Sequence, residues 1–95
     1  MVNTLADVTR DITAENVYTD GLRPIDVFNV SITGTWVATV FLQRSFDGGT
    51  NWVDVESWTT NVEDQYSEAQ AGVVYRLGIK TGGFTSGTSV VALSQ

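Results

Sequence analysis

Hydrophobic and polar positions alternate most clearly in the middle of the chain and again near its end. From Trp36 the even positions run Trp36, Ala38, Val40 and Leu42, while the odd ones run Val37, Thr39, Phe41 and Gln43, a period-two pattern with an apolar even side. That side belongs on a core. Upstream, Phe28, Val30 and Ile32 form an apolar side against Asn29, Ser31 and Thr33, and downstream Val73, Tyr75, Leu77 and Ile79 do the same against largely polar even positions. Each reads as a strand. Gly34-Thr35 predicts one tight reversal and Asp47-Gly48-Gly49-Thr50-Asn51 another, because Gly supplies positive φ and Asp or Asn can hydrogen-bond the local backbone. The return strand, 52–58, places Val53 and Val55 on one side and Trp52, Asp54, Glu56 and Trp58 on the other. The predicted centre is a three-strand meander over 25–33, 36–45 and 52–58.

The flanks are less regular. Leu5, Val8 and Ile12 are spaced unevenly, so residues 1–20 read as an N-terminal arm or edge strand, with Val17-Tyr18-Thr19 a short strand stopped by Asp20-Gly21. Pro24 ends the connection into residue 25. Residues 62–70 are polar and read as an edge strand in preference to a helix over 63–71, which would lack an apolar stripe. Gly82-Gly83 and Ser86-Gly87 bracket a loop that exposes Phe84, and 88–93 form the last strand. Six to eight short strands with Gly-rich turns in 95 residues predict an all-β fold, a single antiparallel β-sandwich domain spanning 1–95, jelly-roll-like or immunoglobulin-like.

The turn at 45–52, Ser-Phe-Asp-Gly-Gly-Thr-Asn-Trp, resembles the Asp-box hairpin S-x-D-x-G-x-T-W of sialidase propellers, with Asn51 where the pattern has Thr. The resemblance makes Ser45, Asp47, Gly49 and Trp52 a structural turn: a carboxylate accepts backbone N–H groups, a glycine permits the bend, and an indole covers the underside. A propeller would need repeated blades, and this chain has one such box and no repeat.

Composition narrows the chemistry. With neither Cys nor His, the chain offers no disulfide, no thiol nucleophile and no imidazole to activate a serine, and the usual zinc, copper and iron sites lose their main ligands. No cofactor or metal site is expected, and the protein reads as a non-enzyme. Asp54 and Glu56, two apart on a strand and roughly 7 Å apart at Cα, are the one carboxylate pair with glycosidase-like spacing, a pattern any solvated strand face also produces. Five Lys/Arg against eleven Asp/Glu give a formal charge of −6, and the cations are scattered, which argues against nucleic acid. No stretch is long and apolar enough to span a bilayer, and residues 1–7 lack the basic and apolar regions of a secretory signal, so a product made and kept in the cytosol, or released by lysis, is expected.

What remains for function is aromatic surface. Trp58 on a polar strand face reads as a protein contact, a sugar platform or a ring covered by the protein's own second sheet, and Phe84 between glycine pairs as a loop-tip contact or a satellite of the core. Trp36 reads as core or interface.

The runs GTWVATVFLQRSFDGGTNWVDV and AGVVYRLGIKTGGFTSGTSVVALSQ, with Arg44-Ser45-Phe46-Asp47-Gly48-Gly49, Tyr75-Arg76-Leu77 and Thr85-Ser86-Gly87-Thr88 as their recognisable elements, resemble small β-sandwich proteins of tailed-phage virions. The similarity covers residues 28–95. It implies a head decoration (cement) protein on the capsid surface, binding the major capsid protein, often as a trimer, with Trp58, Phe84 and Trp36 as interface candidates. The alternative is a carbohydrate- or receptor-binding module of a phage tail or fibre.

Overall fold

The computed structural model describes residues 7–95, which form eight strands and no helix: β1 Asp7–Ile12, β2 Val17–Tyr18, β3 Asp26–Ala38, β4 Val40–Ser45, β5 Val53–Trp58, β6 Val62–Glu68, β7 Val74–Ile79 and β8 Phe84–Ser94. They build two four-stranded antiparallel sheets, ordered β1-β8-β3-β6 and β2-β7-β4-β5. The pairing is nested: β1 with β8, β2 with β7, β3 with β6 and β4 with β5. One long antiparallel ribbon, folded at the β4–β5 turn, has been rolled so that its two arms fill both layers. That is the jelly-roll order of the two sandwich topologies anticipated.

The alternating strands account for the core. Phe28, Val30 and Ile32 of β3, Val40 and Leu42 of β4, Leu77 and Ile79 of β7, and Val91 and Leu93 of β8 are all fully buried between the sheets. Each such side chain contributes about 1.5–3 kcal/mol through removal from water. Tyr75 adds a ring whose centroid lies 4.6 Å from that of Phe28, and its hydroxyl donates to Glu68 at 2.7 Å. The strand expected at 62–70 is present as β6, and the short one at 17–19 as β2. Of the N-terminal region, residues 7–12 form the edge strand β1; Leu5 lies outside the described residues.

The expected meander is corrected. Residues 26–38 make one unbroken strand, so Gly34-Thr35 is no turn, and β3 and β4 belong to different sheets instead of pairing with each other. Gly34 does adopt φ +101°, yet it does so inside β3, opposite Ser89, where a Cβ would stand 2.5 Å from the Thr88 carbonyl oxygen. Glycine marks close backbone approach there, a role that looks identical to a turn in sequence. The change of direction falls instead at Thr39, whose N–H donates to the Gly83 carbonyl at 2.8 Å as the chain crosses from one sheet to the other. Ser86-Gly87 is likewise strand: both pair with β3, and Phe84 opposes Ala38 at the start of β8 instead of standing on a loop tip.

Gly34→Ala is expected to lower stability by about 1–3 kcal/mol, since the added methyl must displace backbone and the residue must keep a positive φ. Urea denaturation midpoints measure it, and an unchanged midpoint would refute the close-approach reading.

Candidate functional surfaces

The turn between β4 and β5 is held by side chains that the sequence selected for it. Ser45 is fully buried; its hydroxyl donates to Asp47 Oδ1 at 2.6 Å and accepts the Gly49 N–H at 2.9 Å. Asp47 in turn accepts the Asn51 N–H at 2.9 Å and the Asn51 amide at 2.7 Å. Gly48 and Gly49 take φ +75° and +102°, and the Trp52 indole donates to the Gly49 carbonyl at 3.0 Å. These bonds hold the Asp47 carboxyl far below the usual carboxylate range, the Ser45 hydroxyl having the largest effect and the Asn51 backbone and side chain following. Its oxygens are fully occupied by the turn, and Asn51 supplies through its amide a contact that extends the Asp-box pattern.

Past the turn, a bulge changes which side chains share a face. Leu42 pairs with Glu56 and Gln43 with Asp54, so Val55 is an extra residue on β5. The expected alternation over 52–58 is therefore broken in its middle: Asp54 joins the outer face beside Gln43, while Glu56 and Trp58 fall on the side of Leu42 and Val40. The acid pair is split across the sheet. Trp58, expected opposite Val55, packs with Val55 against the core, its ring 6.2 Å from that of Tyr66 on the facing sheet in an edge-on arrangement. It closes the open margin between β5 and β6. Burial first, then the nearby Asp64 and Glu56 carboxylates, push the Tyr66 hydroxyl up.

Trp36 and Phe84 both lie toward the other end of β3, Trp36 opposite Gly87 and Phe84 opposite Ala38. Both are half-buried and packed on the core, and Trp36, Val37, Ala38, Thr39, Thr59, Gly82, Gly83 and Thr85 line an open cleft of about 380 Å³ at the sheet crossover. The Trp36 indole donates to Asn61 Oδ1 at 2.7 Å, and the Asn61 amide donates onward to the Gly34 carbonyl at 3.1 Å, so the ring is fixed by the β5–β6 turn. Val37 forms an apolar lip, 58% exposed. Among the described residues no charged side chain lines the cleft, whose polar groups are threonine hydroxyls and backbone.

A second surface escaped the sequence pattern. On the outer face of the β2-β7-β4-β5 sheet, the Arg76 guanidinium lies 3.7 Å from the Tyr18 ring centroid and 4.1 Å from that of Trp52, held between two aromatic rings. Its Nε donates to Gln43 Oε1 at 2.9 Å; Gln43, nearly fully buried, donates through Nε2 to Asp54 Oδ1 at 2.8 Å. Lys80 closes the chain with a 2.7 Å bond to Asp54 Oδ2 and sits 4.3 Å from the Phe41 ring centroid. Lys80 and Gln43 keep the Asp54 carboxyl below its ordinary value, and burial lowers that of Arg76. Tyr18, Trp52 and Arg76 are far apart in the chain, and the one local hint was a charged residue in the middle of a well-formed strand.

Among the described residues no cluster of three or more carboxylates is placed to hold a metal ion, and no helix is long and apolar enough to cross a membrane. Compared with protein-family models, with curated proteins and with solved structures, the chain matches none.

Two outcomes follow from this geometry. Because the folded Asp47 carboxyl titrates below the unfolded value of about 3.9, its contribution is complete above that pH and is lost as acid reaches the folded value. Thermal melts from pH 6 down to pH 2 should show a fall in stability below about pH 4 that is shallower in Asp47→Asn. Trp58→Ala, in turn, should cost about 2–4 kcal/mol by urea denaturation, as expected for a ring packed on the core; a surface ring would leave the midpoint nearly unchanged.

Proposed function

We propose that this protein is a structural component of a tailed-phage virion, a decoration protein that binds the outside of the capsid and stabilises it by bridging shell subunits. The observation that carries the reading is the jelly-roll strand order in a chain whose residues 28–95 resemble small phage virion sandwiches. Three carboxylates work inside the fold: Asp47 in the turn, Asp54 under Lys80, Glu68 beneath Tyr75.

The cleft bearing Trp36 supports contact with a shell protein. It offers an anchored indole and an exposed valine, without a charged side chain among the described residues that an incoming apolar loop would have to desolvate. Trp58 contributes indirectly, by keeping the β5–β6 margin closed beside Thr59. Trimer formation on the shell would multiply modest contacts through effective concentration.

A carbohydrate-binding role in a tail or fibre is the second reading, favoured by one observation: jelly rolls also serve as lectins, and the Trp36 ring stands beside three threonine hydroxyls in an open cleft. Neutral glycan binding lost in Trp36→Ala would favour it.

The decisive measurement mixes the protein with purified expanded shells. Co-sedimentation and a raised shell melting temperature are expected, both reduced about tenfold in apparent affinity by Val37→Asp, which places a charge on the cleft lip. No melting shift at saturating protein would overturn the proposal.

A further inference from the structure

We infer that the outer face of the β2-β7-β4-β5 sheet is a second protein-contact surface, in which Arg76, held between Tyr18 and Trp52, receives a carboxylate from an acidic loop of the partner. The inference deepens the bridging reading above and rests on it, since a protein that clamps neighbours needs more than one contact face.

Charge complementarity is the first support. The chain is acidic, yet Arg76 has no carboxylate within ion-pair distance among the described residues; the nearby Asp54 is bonded to Lys80 and reaches Arg76 only through Gln43. Of the five N–H donors of its guanidinium, Nε alone has a protein acceptor among the described residues. The unmatched donors belong to a planar fork suited to a bidentate carboxylate. Preorganisation is the second support. Two rings and a buried Gln43 fix the guanidinium, so little side-chain freedom remains to be lost on binding. Tyr, Trp and Arg are also the residue types in which binding energy concentrates at protein interfaces.

The same geometry selects protein over glycan. Tyr18 and Trp52 each turn a ring face to Arg76, and Phe41 turns one to Lys80, so the faces on which a pyranose would stack are already engaged. What the surface still offers is the unmatched guanidinium donors, which suit the carboxylate of an extended acidic loop.

The test titrates poly-L-glutamate into the full-length, isotope-labelled protein and follows the Arg76 Nε–H and Trp52 indole N–H resonances. Saturable shifts at both are expected, weakened about tenfold in Arg76→Lys, which keeps the charge and loses the fork. A thermal melt checks that the variant is folded. If it is not, the wild-type shifts decide, because shifts centred away from Arg76, Trp52 and Tyr18 overturn the inference. Binding undiminished in a folded Arg76→Lys overturns it as well. Equal or tighter binding of polygalacturonate assigns the face to acidic glycans, and equal shifts with sodium acetate at matched carboxylate assign it to small anions; either result removes the protein partner. Loss of shell binding by the wild type, with poly-L-glutamate binding intact, defeats the virion proposal and leaves this surface standing.

Discussion

Asp47 and Ser45 hold the one turn at which the two arms of the molecule meet without an intervening strand. Because the strands pair as first with last and so inward, the β4–β5 hairpin is the innermost loop of the ribbon, and every other pairing closes a longer one. Closing the shortest loop costs the least chain entropy, and each pairing already made shortens the closure that remains for the next. The nested order is thus a consequence of where the tightest turn lies. Its hydrogen bonds are specific to a carboxylate two residues after a buried serine, which fixes the register that the rolled arms inherit.

The parts of this fold legible in sequence are those where neighbours along the chain decide the outcome. Alternation in 28–32, 38–42 and 73–79 correctly identifies the inner faces, because side-chain direction in a strand is set residue by residue. The Ser45–Asn51 turn is legible for the same reason. Gly34 is not, since its requirement comes from the Thr88 carbonyl of a strand more than fifty residues away. Val55 fails differently: a single extra residue opposite Leu42 and Gln43 moves Glu56 and Trp58 to the inner side and leaves Asp54 outside. The carboxylate pair and the outward tryptophan both rested on unbroken alternation, and one bulge removes both. The cluster around Arg76 joins residues from β2, β7 and the end of the β4–β5 turn, an arrangement only the rolled topology creates.

Electrostatics divide the two sheets. On the outer side of the β1-β8-β3-β6 sheet, small side chains such as Ser31, Thr33, Ala92 and Ser94 line up with acidic Asp7, Asp11 and Glu63 along the two edge strands. Carboxylates on exposed edges repel a second copy of the same edge, which discourages strand addition. The opposite sheet carries Arg76 on β7 and Lys80 just past its end, each cation beside an aromatic ring. An acidic protein has therefore gathered two of its five cations on one face.

Rigidity of that face follows from how its residues are tied. Gln43 sits between Arg76 and Asp54 with both ends of its amide engaged, and Trp52 is held by the turn carbonyl of Gly49 while its ring meets the guanidinium. Removing Arg76 would free a buried amide oxygen, and leaving a buried polar group unpaired costs about 1–3 kcal/mol. The arginine is thus stabilising in its own fold through one donor and open to a partner through the others. A side chain in that position cannot be optimised for packing alone: methionine would fill the space between the rings, and a carboxylate would satisfy Gln43 poorly. The residue that fits both demands is a planar cation, and its unmatched edge faces outward from the sheet.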